Sequence, residues 1–226
     1  MARRLLLLRH GRTGWNAEHR FQGQADPPLD DVGRAQAYEV AGILAAMRPT
    51  LLVSSDLSRA LQTAAVVGAA VGLTPVVEPR LRERSLGHWE GLTLAEVADR
   101  HPDEYAEWAA GQDVSRRGGE SRLEVAERAA QAFAELPDSD LTVLVLHGGT
   151  AMALTNALLG VDQRAHVFGP LANCHWSELF CEPAHRDGAA PISPKWRLRG
   201  HNLGAPGTVV PLPVTVETDE PSDADA

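Results

Sequence analysis

The chain has 226 residues, 44% hydrophobic and 23% charged, which fits one soluble α/β domain with room for an ample core. Its formal charge of −9 is partly terminal, because five acids and no base follow Gly204, leaving −4 for residues 1–203. That balance offers no basic patch for nucleic acid, and the apolar run Leu5–Leu8 is far short of the about 20 residues a membrane span needs.

Leu5–Leu8 reads as a strand buried on both faces, as in a parallel sheet. At its C-terminal end stand Arg9, His10 and Gly11. In open α/β sheets ligands bind beyond the carboxyl ends of the strands, so this is either a ligand site or a strand end with a solvated Arg and His. The leading Met-Ala-Arg-Arg imitates a signal peptide. The apolar region is too short for one, however, and Arg9 follows at once, so the expected location is the cytoplasm.

Residues 12–28 form a Gly- and Pro-marked loop that carries Asn16, Gln22, Gly23 and Gln24, a reasonable ligand-facing segment. A helix follows over roughly 30–47, with Val40, Ile43, Leu44 and Met47 on one face and Pro49 ending it. Leu51–Val53 is a second buried strand, and Ser54-Ser55-Asp56 supplies capping residues for a helix over about 57–71. Its expected buried face is Leu57, Leu61, Ala64, Gly68 and Val71. Arg59 lies in the first turn, where the helix dipole disfavours a cation. Two readings fit: a surface Arg paired with Asp56, or a bound anion held between the helix end and Arg59.

Pro75–Glu78 is a short strand, and residues 80–91 are a charged, glycine-bearing loop. Glu83 stands among Arg80, Arg82 and Arg84, which by itself reads as a salt-bridged surface carboxylate. Helical patterns over about 93–110 look like an insertion capping the sheet end. A helix then runs over about 122–136 through Leu123, Val125, Ala126, Ala129, Ala130 and Phe133. Thr142–Leu146 is a third buried strand, followed by His147-Gly148-Gly149-Thr150 and a helix through Met152, Leu154, Leu158 and Leu159. This repeats the opening arrangement of apolar strand, His and glycine. Two imidazoles leaving parallel strands at one edge are hard to ascribe to coincidence.

His175–Cys181 and Lys195–Asn202 alternate like two half-exposed edge strands and leave a homodimer open. From Gly204 the chain is Pro-rich, then acidic, and disorder is expected there. Cys174 and Cys181, seven apart, would fall on opposite faces of a strand, so no disulfide is expected. None of the nine histidines shows a metal-binding spacing. The expected architecture is a three-layer α/β/α fold with a mostly parallel central sheet. A small helical cap (about 80–120) covers the C-terminal strand ends of a domain at 1–203, ahead of a tail at 204–226.

Arg9, His10, Arg59, Glu83 and His147, with Asn16 and Gln22 from the first loop, would converge beyond the strand ends. Two Arg forks and backbone N–H groups suit a tetrahedral dianion. A neutral imidazole in such a clamp can attack phosphorus and split the transfer into two steps. A carboxylic acid must then protonate the leaving oxygen and later take a proton from water.

The blocks Arg9-His10-Gly11 with Thr13 and Asn16, Ser54 to Ala60 with Thr63-Ala64, Arg82-Glu83 with Gly87 and Glu90-Gly91, Gly119-Glu120-Ser121, and Val145 to Gly149 occur in order. Together they resemble the histidine phosphatases, the phosphoglycerate-mutase-like superfamily, over about residues 3–203. The resemblance implies that His10 is the phosphorylated nucleophile and Glu83 the proton donor. Arg9, Arg59 and His147 would clamp the phosphoryl group, assisted by Asn16 and Gln22 and by the turns at Gly23 and Gly148. For Glu83 to donate a proton, burial or bound phosphate must outweigh its three Arg neighbours. No metal or cofactor is implied, and the partner is a small phosphorylated metabolite of phosphoglycerate type. Mutases of this family have a longer cap with additional cations. Here the segment is short, and Arg116 and Arg117 are the cations that could partly replace them. That favours water as acceptor, a phosphatase. The alternatives are a phosphoglycerate mutase, a phosphatase of other monoesters such as an α-ribazole phosphate, and a non-catalytic binder of phosphorylated ligands.

Overall fold

The computed structural model describes residues 3–165, 167–181 and 195–205. The acidic, Pro-rich stretch from 206 on lies outside them. Helices α1 (Gly14–Ala17) and α2 (Asp31–Met47) follow β1 (Arg3–Arg9). Next come β2 (Leu51–Ser54), α3 (Ser58–Val71) and β3 (Val76–Val77). The cap carries α4 (Leu94–Arg100) and α5 (Pro102–Ala109), and α6 (Arg122–Ala134) leads back to the sheet at β4 (Leu141–Leu146). α7 (Gly148–Leu159), β5 (Trp176–Cys181) and β6 (Trp196–Leu203) complete the order.

The six strands form one sheet in the order β3-β2-β4-β1-β5-β6. β1, β2, β3 and β4 run parallel, while β5 and β6 pair antiparallel. The sheet is therefore mostly parallel, as expected. Leu5–Leu8 are all fully buried, and the pleat sends alternate residues to opposite faces. Leu6 and Leu8 pack with Val40, Leu44, Ala64 and Val67 of α2 and α3. Leu5 and Leu7 pack with Ala129, Phe133 and Leu154 of α6 and α7. These two cores make the three layers, and each buried Leu contributes about 1.5–3 kcal/mol.

Several expectations need correction. β5 is not an edge strand. It lies between β1 and β6 and is almost wholly buried, so only β6 shows the half-exposed alternation of an edge. The buried face of α3 is rotated from the expected one: Leu57, Ala64 and Gly68 are buried as expected, together with Arg59, Ala60, Thr63 and Val67, whereas Leu61 and Val71 are only half-buried. Leu123 of α6 is 56% exposed. Asp56 does not cap α3. It holds Arg82 through two hydrogen bonds, while the Ser55 hydroxyl accepts from the Leu57 N–H. Cys174 and Cys181 are both buried and are not joined by a disulfide, as expected, and burial pushes the Cys174 thiol up to about 12.

The cap is built on a small core of its own. Trp89, Val97 and Val114 are buried together, with Phe21, Leu86, Leu92 and Tyr105 against them. Phe21 comes from the loop after β1, so the cap and the first loop share packing at the sheet end where β1 and β4 terminate.

Candidate active site

β1 and β4 are adjacent and parallel, with Arg9 opposite Leu146. The next residues, His10 and His147, therefore leave the sheet side by side. The His10 N–H donates to the Leu146 carbonyl (3.0 Å), and the two rings stand 5.1 Å apart. Both rings are buried.

His10 Nδ1 lies 2.7 Å from the Gly11 carbonyl oxygen. A carbonyl can only accept, so Nδ1 carries the proton and the Nε2 lone pair is left for chemistry. Burial holds the His10 ring well below its ordinary value, and the nearby Arg59 and Arg9 cations push the same way. A neutral, nucleophilic imidazole follows.

Arg59 is fully buried near the start of α3. Its guanidinium donates to the carbonyls of Gly23 (2.8 Å) and Ala25 (2.7 Å) and, through Nε, to His147 Nδ1 (3.2 Å). These acceptors explain how a cation tolerates the positive end of a helix. Burial lowers Arg59 only to about 10, so it stays charged at neutral pH. The surface pairing with Asp56 is excluded. Because Arg59 donates to Nδ1, the neutral His147 carries its proton on Nε2, 2.9 Å from Ser55 Oγ. Both ring nitrogens of His147 are thus engaged by protein. Burial, and then the charge on Arg59, keep this ring neutral too.

Arg9 is half-buried and donates through Nη1 to the Leu171 carbonyl, while its buried Nε has no partner. Asn16 Oδ1 accepts from the Thr13 N–H and from Asn173 Nδ2, which also donates to the His10 carbonyl. Asn173 therefore ties the first loop to the histidine strand. No sequence pattern pointed to it. The Gln22 side-chain oxygen is likewise buried without a partner.

Glu83 is not a member of an arginine cluster. Arg80 turns to Glu78 and Glu135, Arg82 to Asp56, and Arg84 to Asp113. The Glu83 carboxylate instead sits on the N-terminus of α7, accepting from the N–H groups of Gly149 (3.0 Å) and Thr150 (3.1 Å) and from that of Arg84 (2.8 Å). A Cβ at Gly149 would come within 2.6 Å of Glu83 Oε1, so only glycine admits the carboxylate here. Arg128, which sequence reasoning missed, donates to the carbonyls of Arg80, Arg82 and Glu83 and to the Glu120 carboxylate, locking the loop that presents Glu83. Glu90 accepts from the N–H groups of Gln24, Ala25 and Leu86 and so stitches the first loop to the cap. Gly23, at φ +52°, packs directly against it.

Arg9, His10, Asn16, Gln22, Gly23, Arg59 and Glu83 line a cleft of about 290 Å³. His147 lies behind it, in contact with His10 and Arg59. Gly149 rather than Gly148 reaches the cleft wall, and Arg20, Phe21, Arg84 and Leu86 join it. Arg116 and Arg117 do not line the cleft: Arg116 pairs with Glu107, and Arg117 is buried 5.5 Å from the Trp89 ring. The cleft is thus cationic at its floor, with one carboxylate on a helix end beside it. Such a set holds an anion and moves a proton.

The comparisons with known proteins agree with that chemistry. The profile of the histidine phosphatase superfamily (branch 1) matches residues 5–188. A glucosyl-3-phosphoglycerate phosphatase of Mycolicibacterium vanbaalenii is 40% identical over 215 residues, covering 90% of this chain and 96% of the relative. The solved mycobacterial glucosyl-3-phosphoglycerate phosphatase in complex with VO3 superposes with a TM-score of 0.78 at 40% identity, covering 88% of this chain and 99% of that one. A Yersinia pestis protein named "Probable phosphoglycerate mutase GpmB" is 37% identical over 177 residues, 76% of this chain and 82% of its own.

Proposed function

Because this chain belongs to the histidine phosphatase superfamily (branch 1), we propose that it hydrolyses a phosphoglycerate-type monoester, glucosyl-3-phosphoglycerate first among them, through a phosphohistidine on His10. The observation that carries the proposal is the state of His10: a buried neutral ring, Nδ1–H tied to the Gly11 carbonyl, Nε2 free, between Arg9 and Arg59.

Glu83 enters the first step protonated, having taken up a proton when the phosphate dianion binds beside it. His10 Nε2 forms the bond to phosphorus, the ester P–O bond breaks, and Glu83 gives that proton to the leaving oxygen. Arg9 and Arg59 stabilise the charge spread over the equatorial oxygens, with Asn16 and Gln22 completing the clamp. His147, locked by Arg59 and Ser55, fixes the pair of cationic and imidazole groups in place. In the second step water attacks the phosphohistidine, Glu83 takes the proton from water, and the neutral His10 is restored. The protein's own cations supply what a metal otherwise would, so the reaction is metal-independent.

Arg20 and Arg84 also line the cleft wall, but Arg20 is paired with Glu18 and Glu96 and Arg84 with Asp113, so either reaches a glycerate carboxylate only through its remaining N–H groups. With Arg116 and Arg117 turned away, little charge remains to retain a bisphosphate, which favours water over a second phosphoglycerate as acceptor. The same reading takes residues 1–203 as the catalytic domain with the cap at about 80–120. It also takes a cytoplasmic location and a homodimer through the β6 edge. Among the described residues no helix is long and apolar enough to cross a membrane.

The test is phosphate release by the chelator-treated protein from glucosyl-3-phosphoglycerate and 3-phosphoglycerate at matched concentrations. A strong preference for the glucosylated ester is expected. Formation of 2-phosphoglycerate from 3-phosphoglycerate with a bisphosphate primer would replace this reading with the mutase, and equal rates on both esters would move the substrate elsewhere.

A further inference from the structure

Apart from the cleft, the cap gathers a second set of reactive side chains. His88 lies in the tight turn Gly87–Trp89, His101 at the junction of α4 and α5, and Glu104 in the first turn of α5. Thirteen residues of chain separate His88 from His101, so no linear spacing announces them, yet the fold brings one ligand atom from each within 4.8 Å of the others. The two imidazoles face one another with ring centres 4.4 Å apart. Glu104 Oε2 lies 2.9 Å from His88 Nε2 and accepts from the Trp89 indole N–H at 2.6 Å.

We infer that His88, His101 and Glu104 form a binding site for a single divalent transition metal, zinc by its ligand type, on the outer wall of the cap. Two imidazoles and a carboxylate are a donor set that zinc takes, at about 2.0–2.2 Å per bond, with the fourth position left to water. Tetrahedral zinc spaces such ligand atoms by about 3.3 Å, so from separations within 4.8 Å the cluster needs to close by at most about 1.5 Å. The carboxylate is already oriented, because the buried Trp89 indole N–H holds Oε2 beside His88 Nε2. Binding through His88 Nε2 uses the tautomer that carries its proton on Nδ1. His88 is partly exposed, which leaves an entry path.

The site is separate from the phosphoryl cleft and takes no part in the proposed reaction. Its consequence is mechanical. The ion would join α5 to the turn at 87–89, two residues beyond Leu86, which lines the cleft. Metal occupancy therefore stiffens the wall against which the leaving group rests.

The experiment is calorimetric titration of the full-length, chelator-treated chain with Zn²⁺, repeated with Co²⁺ to read its coordination from the visible absorption. Wild type should bind one equivalent with a tetrahedral cobalt spectrum. Loss of even a supporting partner costs about 10–100-fold in metal affinity, so His101→Ala and His88→Ala should each weaken this equivalent at least about 100-fold. Glu104→Gln, which keeps an acceptor for Trp89 and spares the cap core, should weaken it as well. Amide exchange over residues 86–104 should slow on adding Zn²⁺ to wild type and not to His101→Ala. Absence of a one-equivalent site, or one whose affinity survives all three substitutions, would overturn the proposal. So would an octahedral cobalt spectrum.

Discussion

At the residue scale the account rests on two neutral imidazoles held between arginines. Replacing His10 with Ala removes the nucleophile and should lower kcat by at least about 10³-fold while leaving the fold intact, as turnover and circular dichroism would show together. Glu83→Gln keeps the size but brings an NH2 group to a position that accepts from three backbone N–H groups. A loss of about 10²–10⁴ in kcat is expected, the range of a general acid. The histidines also set a pH dependence. Both are neutral in the native state, with values well below 6.5 because of burial first and the arginines second. In the unfolded chain they titrate near 6.5. Below that pH the unfolded state binds protons that the native state refuses, so stability is intact above about pH 6.5 and falls as the pH drops. Each ring contributes a slope of up to about 1.4 kcal/mol per pH unit. Denaturant unfolding of His147→Gln between pH 6.5 and 5 should therefore show a shallower slope than wild type by that amount. An unchanged slope would count against the neutral ring.

At the scale of elements, the strand ends and helix starts were legible because their signals are local. A four-Leu run followed by Arg-His-Gly, and a second apolar run followed by His-Gly-Gly, announce two buried strands ending at one site. Arg59 was readable as anomalous because a cation in a first helical turn needs a reason. Its acceptors, the Gly23 and Ala25 carbonyls, were not, since carbonyl direction is a property of a folded loop. Glu83 was misplaced among Arg80, Arg82 and Arg84 because neighbours in sequence diverge around a turn and find partners on other elements. Arg128 and Asn173 act through backbone carbonyls and leave no pattern at all. The same limit applied to β5: alternation marks one polar face, but whether that face meets solvent depends on β6 arriving beside it. Two predictions belong here. Gly149→Ala would force its Cβ to 2.6 Å from Glu83 Oε1. The carboxylate must move, so kcat should fall at least about 10-fold with Tm little changed, in contrast to a simple folding defect. Arg128→Ala removes one donor from each of three carbonyls and from Glu120, leaving Thr150 on the Arg82 carbonyl, Gln24 on that of Glu83 and Ser85 on Glu120. A loss of about 3 kcal/mol is expected in denaturant unfolding, together with lower kcat because the Glu83 loop is freed.

At the scale of the molecule, three layers supply rigidity, and the proposed function gives selection to the cap. The sheet and its helices fix the two histidines and Arg59 with almost no exposure. The cleft wall is instead assembled from the first loop, the segment Glu83–Leu86 and the start of α7. The fold follows from buried strands, and chains similar to this one carry different names, a glucosyl-3-phosphoglycerate phosphatase and a probable phosphoglycerate mutase among them. The wall depends on loop geometry, and there the substrate is chosen. An anion that binds only the native floor must stabilise the whole chain. Vanadate at 100 times its Kd should raise the unfolding free energy by about 2.7 kcal/mol, and should not do so in Arg59→Ala.

The most direct test of the central claim is rapid quench of the metal-free enzyme with phosphate-labelled substrate, followed by mapping of the label. The account predicts a base-stable, acid-labile phosphoryl group reaching up to one per chain on His10 within the first turnover, and none in His10→Ala. Turnover without any protein-bound label, or label on another residue, would contradict it.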